Sequence, residues 1–178
     1  ILPYHRMIDG LDKKIGTTGR GIGPTYADKI NRIGLRFGDL DEVVDNEEWI
    51  AESVERMNAS LSSAGAEGTI TVQDLAKDVK WIKEAFGNAV ANTSVMLDNA
   101  LKLGEEILLE GAQGCLLDID QGTFPFVTSS VTSRGNATHG AGIHPGHIDD
   151  VIGIVKAYTT RVGSGPFPTE LFDSDGDH

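Results

Sequence analysis

A glycine-rich loop near the start of the chain has the residue types of a phosphate-binding site. Residues 15–24 read IGTTGRGIGP, which sets Thr17, Thr18 and Arg20 among four glycines. Closely spaced glycines allow successive backbone N–H groups to point at one anion, and hydroxyl and guanidinium groups add donors. The chain has no G-x-x-x-x-G-K-[ST] loop, and this segment lacks the G-x-G-x-x-G spacing. Phosphate binding and a plain tight turn are equally good interpretations.

Three later segments also have ligand-binding chemistry, and each has a plainer alternative. In residues 110–114 (EGAQG), Gln113 offers a donor and an acceptor suited to a base edge or a carbonyl, or it caps a turn. In residues 127–130 (VTSS), consecutive hydroxyls suit a phosphate or belong to an ordinary loop. Residues 161–170 (RVGSGPFPTE) form a stiff loop that shapes a site or ends an edge strand.

Two other groupings are weaker. His139, His144 and His147 are loosely spaced and suggest a metal site, but no HExxH motif accompanies them. Asp118 and Asp120 resemble an acid–base pair, although solvated or loop-capping carboxylates are more common at such positions.

Helical periodicity predicts the elements that position the first loop. A short helix is expected from Thr25 to Ile33, ended by Gly34. A second helix is expected after Asp45 as N-cap, and a third after a Thr71–Asp74 capping box, ending at Gly87. The apolar residues that define the second and third helices are Ile50, Val54, Met57, Leu61, Leu75, Val79, Ile82 and Phe86. A fourth helix is expected over residues 92–103.

The last third of the chain has a different pattern. The apolar runs at 107–109 and 151–155 are typical of strands buried on both faces of a parallel sheet, although the second run also fits a helix. Residues 120–147 between them read as a long loop, and loops of that length are usually functional. These patterns predict three parts, with boundaries at 1–40, 41–104 and 105–178.

Composition and charge exclude several classes of protein. The chain of 178 residues is 39% hydrophobic and carries a formal charge of −12, which argues against nucleic-acid and anionic membrane binding. It contains one cysteine, Cys115, which favours a reducing compartment such as the cytoplasm. No apolar run approaches the length of a membrane span. Because the chain begins with Ile1 and has no signal-peptide pattern, we expect an internal segment.

Four segments in this order are similar to the adenylosuccinate synthetase family. They are residues 15–24 (IGTTGRGIGP), 110–120 (EGAQGCLLDID), 122–130 (GTFPFVTSS) and 156–173 (KAYTTRVGSGPFPTELFD). The resemblance covers essentially the whole chain. It implies an α/β fold, in which a mostly parallel sheet carries an inserted helical subdomain.

The resemblance also implies an activity and residues that serve it. The family joins IMP and L-aspartate: GTP phosphorylates the 6-oxygen of IMP, and the aspartate amine then displaces phosphate, with Mg²⁺ assisting. Gln113 resembles the catalytic glutamine near the 6-oxygen, and Arg32 resembles an arginine that reaches the IMP phosphate of the partner subunit in a homodimer. The other residues implied in IMP binding or in its support are Thr18, Thr128 and Val162, with Lys29, Arg36 and Ser129.

The resemblance also has gaps. The family's GTP loop, its magnesium ligands and its aspartate loop correspond to no part of these residues, so we expect the segment alone to be inactive. Residues 131–136 (VTSRGN) depart from the family pattern and leave the local loop conformation open. A non-catalytic nucleotide-binding or dimerisation module on the same scaffold is the alternative interpretation.

Overall fold

The computed structural model of the chain describes residues 2–11, 16–161 and 164–175. The seven α-helices in this part of the chain are α1 (Pro3–Asp9), α2 (Ile22–Asn31), α3 (Leu40–Val43), α4 (Glu47–Ser63), α5 (Val72–Phe86), α6 (Thr93–Lys102) and α7 (Arg134–Ala141). Single 3-10 turns lie at Phe37–Asp39, Gly87–Ala89, Cys115–Leu117 and Pro145–His147. None of these described helices is long and apolar enough to cross a membrane.

The chain divides into two compact units. Unit 1 comprises residues 1–13 and 17–96, and unit 2 comprises residues 14–16 and 97–178. The three-part division expected from the sequence stays a prediction.

Unit 1 is built on one hydrophobic core. The apolar positions predicted from helical spacing in α4, namely Ile50, Val54, Met57 and Leu61, are all buried. They pack with Leu75 and Val79 of α5, with Leu40 and Val43 of α3, and with Leu2 and Tyr4 at the start of α1. The predicted α5 stripe is buried only in its first two turns. Ile82 is half-buried, and Phe86 is exposed and packs edge-on against Trp81 and Phe37.

The predicted capping residues are partly confirmed. Thr71 and Asp74 form the expected capping box at the start of α5, with Asp74 N–H donating to the Thr71 hydroxyl at 3.1 Å. The N-cap of α4 is Asn46, whose side chain accepts from Trp49 N–H at 2.9 Å, so the prediction of Asp45 was wrong by one residue. Helix α6 lies within one residue of its expected bounds and is followed by Gly104 at φ +76°.

Helix α2 begins three residues earlier than predicted. It starts at Ile22, after Gly21 in a left-handed conformation at φ +83°, and Pro24 is its third residue. Proline is tolerated there because the first N–H groups of a helix have no acceptor within it. Helix α1 was not predicted at all, because a glycine-rich segment follows it closely and its seven residues hold too few turns to show a period.

The described residues contain no β-strand, so the strands expected at 107–109 and 151–155 are not observed. Leu108 is 88% exposed and Ile154 is 94% exposed. A strand needs a neighbour to satisfy its backbone groups, and these two runs find none within the described residues. The helical part of the predicted α/β class is thus observed, and the sheet is not. Helix α7 also interrupts the region that was predicted to be one long loop, and it ends at Gly142, a left-handed C-cap at φ +71°.

Candidate functional site

The glycine-rich loop before α2 is fixed by one carboxylate. Asp9, at the end of α1, accepts the Thr17 hydroxyl at 2.7 Å on Oδ1 and Gly21 N–H at 2.7 Å on Oδ2. The Thr17 hydroxyl oxygen in turn accepts Gly19 N–H at 2.9 Å. The amides of Gly19 and Gly21 are therefore engaged within the protein, and they do not form the row of free anion-binding amides that the glycine spacing suggested.

Thr18 lies at the exposed side of this loop. Thr17 is also exposed, but its hydroxyl bonds to Asp9 and to Gly19 N–H, whereas the exposed side chains of Thr18 and Arg20 make no hydrogen bond within the described residues. A loop shaped in this way presents a hydroxyl and a guanidinium to solvent, which are donors suited to an anionic ligand.

His5 ties α1 to α2. Leu2 N–H donates to His5 Nδ1 at 2.8 Å, so Nε2 carries the hydrogen and donates to Asp28 Oδ2 at 3.1 Å. Burial lowers the pKa of His5 from 6.5 to about 4, and it also raises the pKa of Asp28, an effect that Arg56 opposes. The contact is therefore a hydrogen bond from a neutral imidazole, which orients the last turn of α2.

Arg32 ends α2 in a strained backbone conformation. Its φ is +62°, and its N–H, with those of Ile33 and Gly34, bonds to the last carbonyls of the helix. Its side chain is exposed and makes no hydrogen bond or ion pair within the described residues. Lys29 and Arg36 are exposed nearby in sequence, and the Lys29 ammonium lies 5.6 Å from the centre of the Tyr26 ring.

The structure places Thr18 and Arg32 at opposite ends of α2. Thr18 precedes the helix and Arg32 follows its last residue. A helix of ten residues spans about 15 Å at 1.5 Å per residue. Within one chain, these two candidate residues are therefore not brought together around a single phosphate.

In unit 2, a second buried carboxylate organises the segment that carries Thr128. Asp118 is 3% exposed and accepts N–H groups of Asp120 and Gln121 on Oδ1, both at 3.0 Å, and Thr132 N–H on Oδ2 at 2.6 Å. These bonds lower the pKa of Asp118 from 3.8 to about 2. Of the two readings for Asp118, loop capping is the one observed.

Backbone hydrogen bonds also hold Thr128 and its neighbours in the segment around Asp118. Thr128 N–H donates to the Leu117 carbonyl at 2.8 Å, and the Ser130 carbonyl accepts Ile119 N–H at 3.2 Å. Thr128 and Ser129 are both half-buried. Gly122 fits only as glycine, since a Cβ there would lie 2.4 Å from the Asp118 carbonyl oxygen. The backbone, rather than apolar packing, thus positions these two hydroxyl-bearing residues.

In unit 2, Gln113 has the same unusual backbone conformation as Arg32 in unit 1. It is exposed and adopts φ +64°, and the adjacent Gly114 carbonyl accepts the Thr132 hydroxyl at 3.2 Å. Among the described residues, Arg32 and Gln113 are the two non-glycine residues with positive φ. Such conformations are uncommon outside glycine and cluster at functional sites.

Arg161 ties the 164–165 loop to the Thr128 region. Its guanidinium donates to the Phe126 carbonyl at 2.8 Å and to the Thr123 hydroxyl and the Ser164 carbonyl, both at 3.2 Å. Gly165, at φ +109°, lies so close to Phe126 that a Cβ would come within 2.4 Å of its ring. Val162, the last candidate residue, lies outside the described residues.

The histidine cluster does not assemble into a metal site in the described part of the chain. The rings of His144 and His147 are 6.2 Å apart and edge-to-face, and His144 Nδ1 accepts Gly146 N–H at 3.0 Å. No group of three or more His, Cys, Asp or Glu side chains in the described ranges is arranged to hold a metal ion.

Comparison with known proteins gives the family. The adenylosuccinate synthetase profile matches residues 1–178, the full length of the chain. The chain belongs to the adenylosuccinate synthetase family. An adenylosuccinate synthetase from Syntrophus aciditrophicus is 50% identical over 99% of this chain and 42% of the relative, and one from Geobacter metallireducens is 48% identical over 99% and 43%.

A solved structure supports the same relationship. Fully ligated adenylosuccinate synthetase from Plasmodium falciparum superimposes with a TM-score of 0.82 at 33% identity, over 97% of this chain and 42% of that one. The chain therefore spans less than half the length of the adenylosuccinate synthetases it matches.

Asp9, His5 and Arg161 were missed by sequence reasoning as organisers of the site. Each acts through contacts with residues between 8 and 38 positions away in sequence. No local spacing marks such pairs. The one available signal was for Asp9, an acidic residue shortly before a loop rich in backbone donors.

Proposed function

We propose that the chain is part of a GTP-dependent ligase that joins IMP and L-aspartate to form adenylosuccinate. Family membership over the full chain supports this proposal. So does the presence in both units of loops that are rigidly held and present hydroxyl, amide and guanidinium groups. The chemistry requires such fixed donors, because phosphoryl transfer and displacement at a purine carbon both develop charge on oxygen.

The strained backbone conformation of Arg32 and Gln113 is the observation that best supports their assignment as site residues. Both have φ near +60°, where a side chain is strained by roughly 1–2 kcal/mol relative to the right-handed region. Glycine would relieve this strain, yet the sequence has a functional side chain at each position. We infer that Gln113 contacts the purine 6-oxygen and stabilises the charge that develops on it, and that Arg32 contacts the 5′-phosphate of IMP.

The hydroxyl-bearing residues complete the proposal. Thr18 and Thr128 are each proposed, on the family resemblance, as residues that bind the IMP phosphate, and Ser129 is proposed to support Thr128. Lys29 and Arg36 are exposed and lie within four residues of Arg32 in sequence, and we propose that they support Arg32 at the interface. Val162 is proposed to line the nucleoside on the strength of the family resemblance alone.

We further propose a homodimer in which Arg32 serves the partner subunit's IMP. The separation of Thr18 and Arg32 by the length of α2 supports this arrangement, because one phosphate does not span about 15 Å. The exposed Arg32 side chain, which bonds to nothing in the described residues, is free to reach a second chain.

GTP and Mg²⁺ belong to the proposed reaction, but the described residues do not fit them. They contain no cluster of potential metal ligands, and the sequence has no Walker-type loop. In the complete fold, we propose that runs 107–109 and 151–155 join a mostly parallel sheet with strands from the remaining length of such ligases. The proposed location is the cytoplasm.

Calorimetric titration with IMP and with inosine tests the residue assignments. Arg32→Gly and Gln113→Gly keep the left-handed backbone and remove only the side chain, and Thr128→Ala removes one hydroxyl. We expect Arg32→Gly and Thr128→Ala to weaken IMP binding by about tenfold or more, since each removes a bond to a charged oxygen. Gln113→Gly should weaken it by less, because the 6-oxygen of bound IMP is uncharged before phosphoryl transfer. Inosine, which lacks the phosphate, should be sensitive to Gln113→Gly and indifferent to the other two.

Lys102→Ala serves as the control, because it removes an exposed cation whose described partner is Asp98. It should leave both affinities unchanged. Equal losses for IMP and inosine with Arg32→Gly and Thr128→Ala would contradict the phosphate assignment.

Mixing the Arg32→Gly and Thr128→Ala chains tests the shared site. In a mixed dimer, one site contains both intact residues, so random pairing should restore about a quarter of the sites. No recovery in a mixture shown to exchange subunits would refute the contribution of Arg32 to its partner.

A further inference from the structure

We propose that Asp9 is a positioning residue that holds the 17–21 loop in the shape that presents Thr18 to a phosphate. The inference rests on the proposed function, because it assigns a role to Asp9 in IMP binding. Asp9 itself faces into the protein and is 7% exposed, so it is not a ligand-contacting group.

The carboxylate accepts from both ends of the loop with its two oxygens. Thr17 donates its hydroxyl to Oδ1 and Gly21 donates its N–H to Oδ2, each at 2.7 Å. Bonds to an ionised acceptor are short and roughly twice as strong as those between neutral groups. The distance between the loop ends is therefore set by a rigid planar group.

The bonds constrain every second residue of the loop. Thr17 and Gly21 bond to Asp9, and Gly19 N–H donates to the Thr17 hydroxyl oxygen at 2.9 Å. These bonds hold the backbone on both sides of Thr18, so the direction in which its exposed side chain is presented depends on them.

The loop end also abuts α1. A Cβ on Gly21 would lie 2.8 Å from the Cβ of His5, so the backbone of Gly21 passes directly against the helix. His5 and Asp9 are four residues apart and lie on one face of α1. His5 bonds to Asp28 in α2 and Asp9 bonds to the loop before α2, so this face of α1 sets the loop and the helix together.

The two acceptor oxygens of a carboxylate explain why Asp is suited to this buried position. A buried charge is unfavourable unless strong hydrogen bonds satisfy it, and no described cation pairs with Asp9. Asparagine has one acceptor oxygen, so it satisfies one of the two donors well and meets the other with an N–H₂ group. We call the two hydrogen bonds that Asp9 accepts from Thr17 and Gly21 the Asp9 clamp. The substitution Asp9→Asn is nearly isosteric and removes one of these two bonds.

The experiment compares IMP affinity with thermal stability in four variants. Asp9→Asn and Thr17→Val each remove part of the clamp, the double variant removes both, and Thr17→Ser keeps the hydroxyl. The control is Asn58→Ala, which also removes two hydrogen bonds made by one side chain of unit 1. Asn58 donates to the Ile70 carbonyl at 2.8 Å and accepts Ile70 N–H at 2.7 Å.

We expect Asp9→Asn and Thr17→Val to weaken IMP binding by about tenfold each, because a loop that is no longer held in shape must be ordered when IMP binds. The double variant should be no weaker than the worse single variant, because both act through the same contact. Thr17→Ser should bind as the wild type does. Asn58→Ala should lower the melting temperature but leave the dissociation constant within about twofold.

Two outcomes would overturn the inference separately from the proposed function. Unchanged IMP affinity in Asp9→Asn, with a lowered melting temperature, would show that Asp9 serves stability alone. Additive losses in the double variant would show that Asp9 and Thr17 act independently. A folded wild-type chain that binds no IMP would instead overturn the proposed function, and the role of Asp9 with it.

Discussion

Unit 1 and unit 2 bury different kinds of side chain. All ten buried apolar residues of the described chain lie in unit 1, where four helices pack around Leu61, Leu75 and Val79. In unit 2, the buried described residues are Asp118 and Thr138, and runs such as 151–155 are exposed. Unit 1 thus has a hydrophobic core formed by its own helices, whereas unit 2 is organised by hydrogen bonds around a carboxylate.

The difference separates two ways of fixing a binding loop. In unit 1, Asp9 bonds to a loop that leads directly into helix α2. In unit 2, Asp118 accepts three backbone N–H groups and a hydroxyl, and little apolar packing supports it. Buried polar networks depend on full satisfaction, so unit 2 should be more sensitive to the loss of a single partner.

Replacement of Leu61 by alanine should give the largest effect. Leu61 is fully buried in the unit 1 core, and the cavity should reduce the free energy of unfolding by about 2–5 kcal/mol. Leu108→Ala in unit 2 is the matched control, since that side chain is 88% exposed and should change stability by less than about 0.5 kcal/mol. Both tryptophans, Trp49 and Trp81, lie in unit 1, so denaturant titrations followed by fluorescence report on that unit.

Amide hydrogen exchange at Ile119, Gly122 and Thr132 reports on unit 2 for the Leu108 variant. A large decrease in the free energy of unfolding of unit 2 in Leu108→Ala would contradict the view that unit 2 lacks an apolar core.

Acid should loosen the two units in different pH ranges. The folded-state pKa of His5 is about 4 against an ordinary 6.5, so the unfolded chain binds a proton first and unit 1 loses stability as the pH falls from 6.5 to 4. Asp118 has a pKa of about 2 against 3.8, so its contribution is present above pH 3.8 and is lost as the pH falls toward 2.

Tryptophan fluorescence for unit 1 and amide exchange at Asp120, Gln121 and Thr132 for unit 2 measure the two transitions. His5→Gln should remove the decline between pH 6.5 and 4 and lower stability at neutral pH, whereas the exposed His139→Gln should leave that decline in place. Simultaneous loosening of both units in one pH range would contradict the proposed separation.

Helix capping should give the smallest effect and should differ between the units. Thr71→Ala in unit 1 breaks a capping box and should lower the free energy of unfolding by about 1 kcal/mol. Ser133 occupies the N-cap of α7 in unit 2, but its side chain makes no capping bond, so Ser133→Ala should have almost no effect. Equal losses in the two variants, measured by urea denaturation, would indicate that Ser133 caps α7 in solution.

The sequence by itself determined helices α4 and α5, the bounds of α6 to within one residue, the Thr71 cap and the family. Helical spacing of apolar residues needs only local geometry and a core to face, and α4 and α5 supply each other with that core. The chain's motifs were sufficient for the family because their order and spacing are linear properties. The positions of Arg32 and Gln113 as candidate residues came from the same resemblance, and nothing local predicted their left-handed backbones.

Only the tertiary structure decided how the loops are held and which apolar runs are covered. Asp9 and Thr17 meet, as do Asp118 and Thr132, because the chain folds back over intervals that no periodicity records. The runs at 107–109 and 151–155 had the composition of strands, but a strand forms only where a neighbouring strand satisfies its backbone. Composition describes what a segment can form, and the partners available in space determine what it does form.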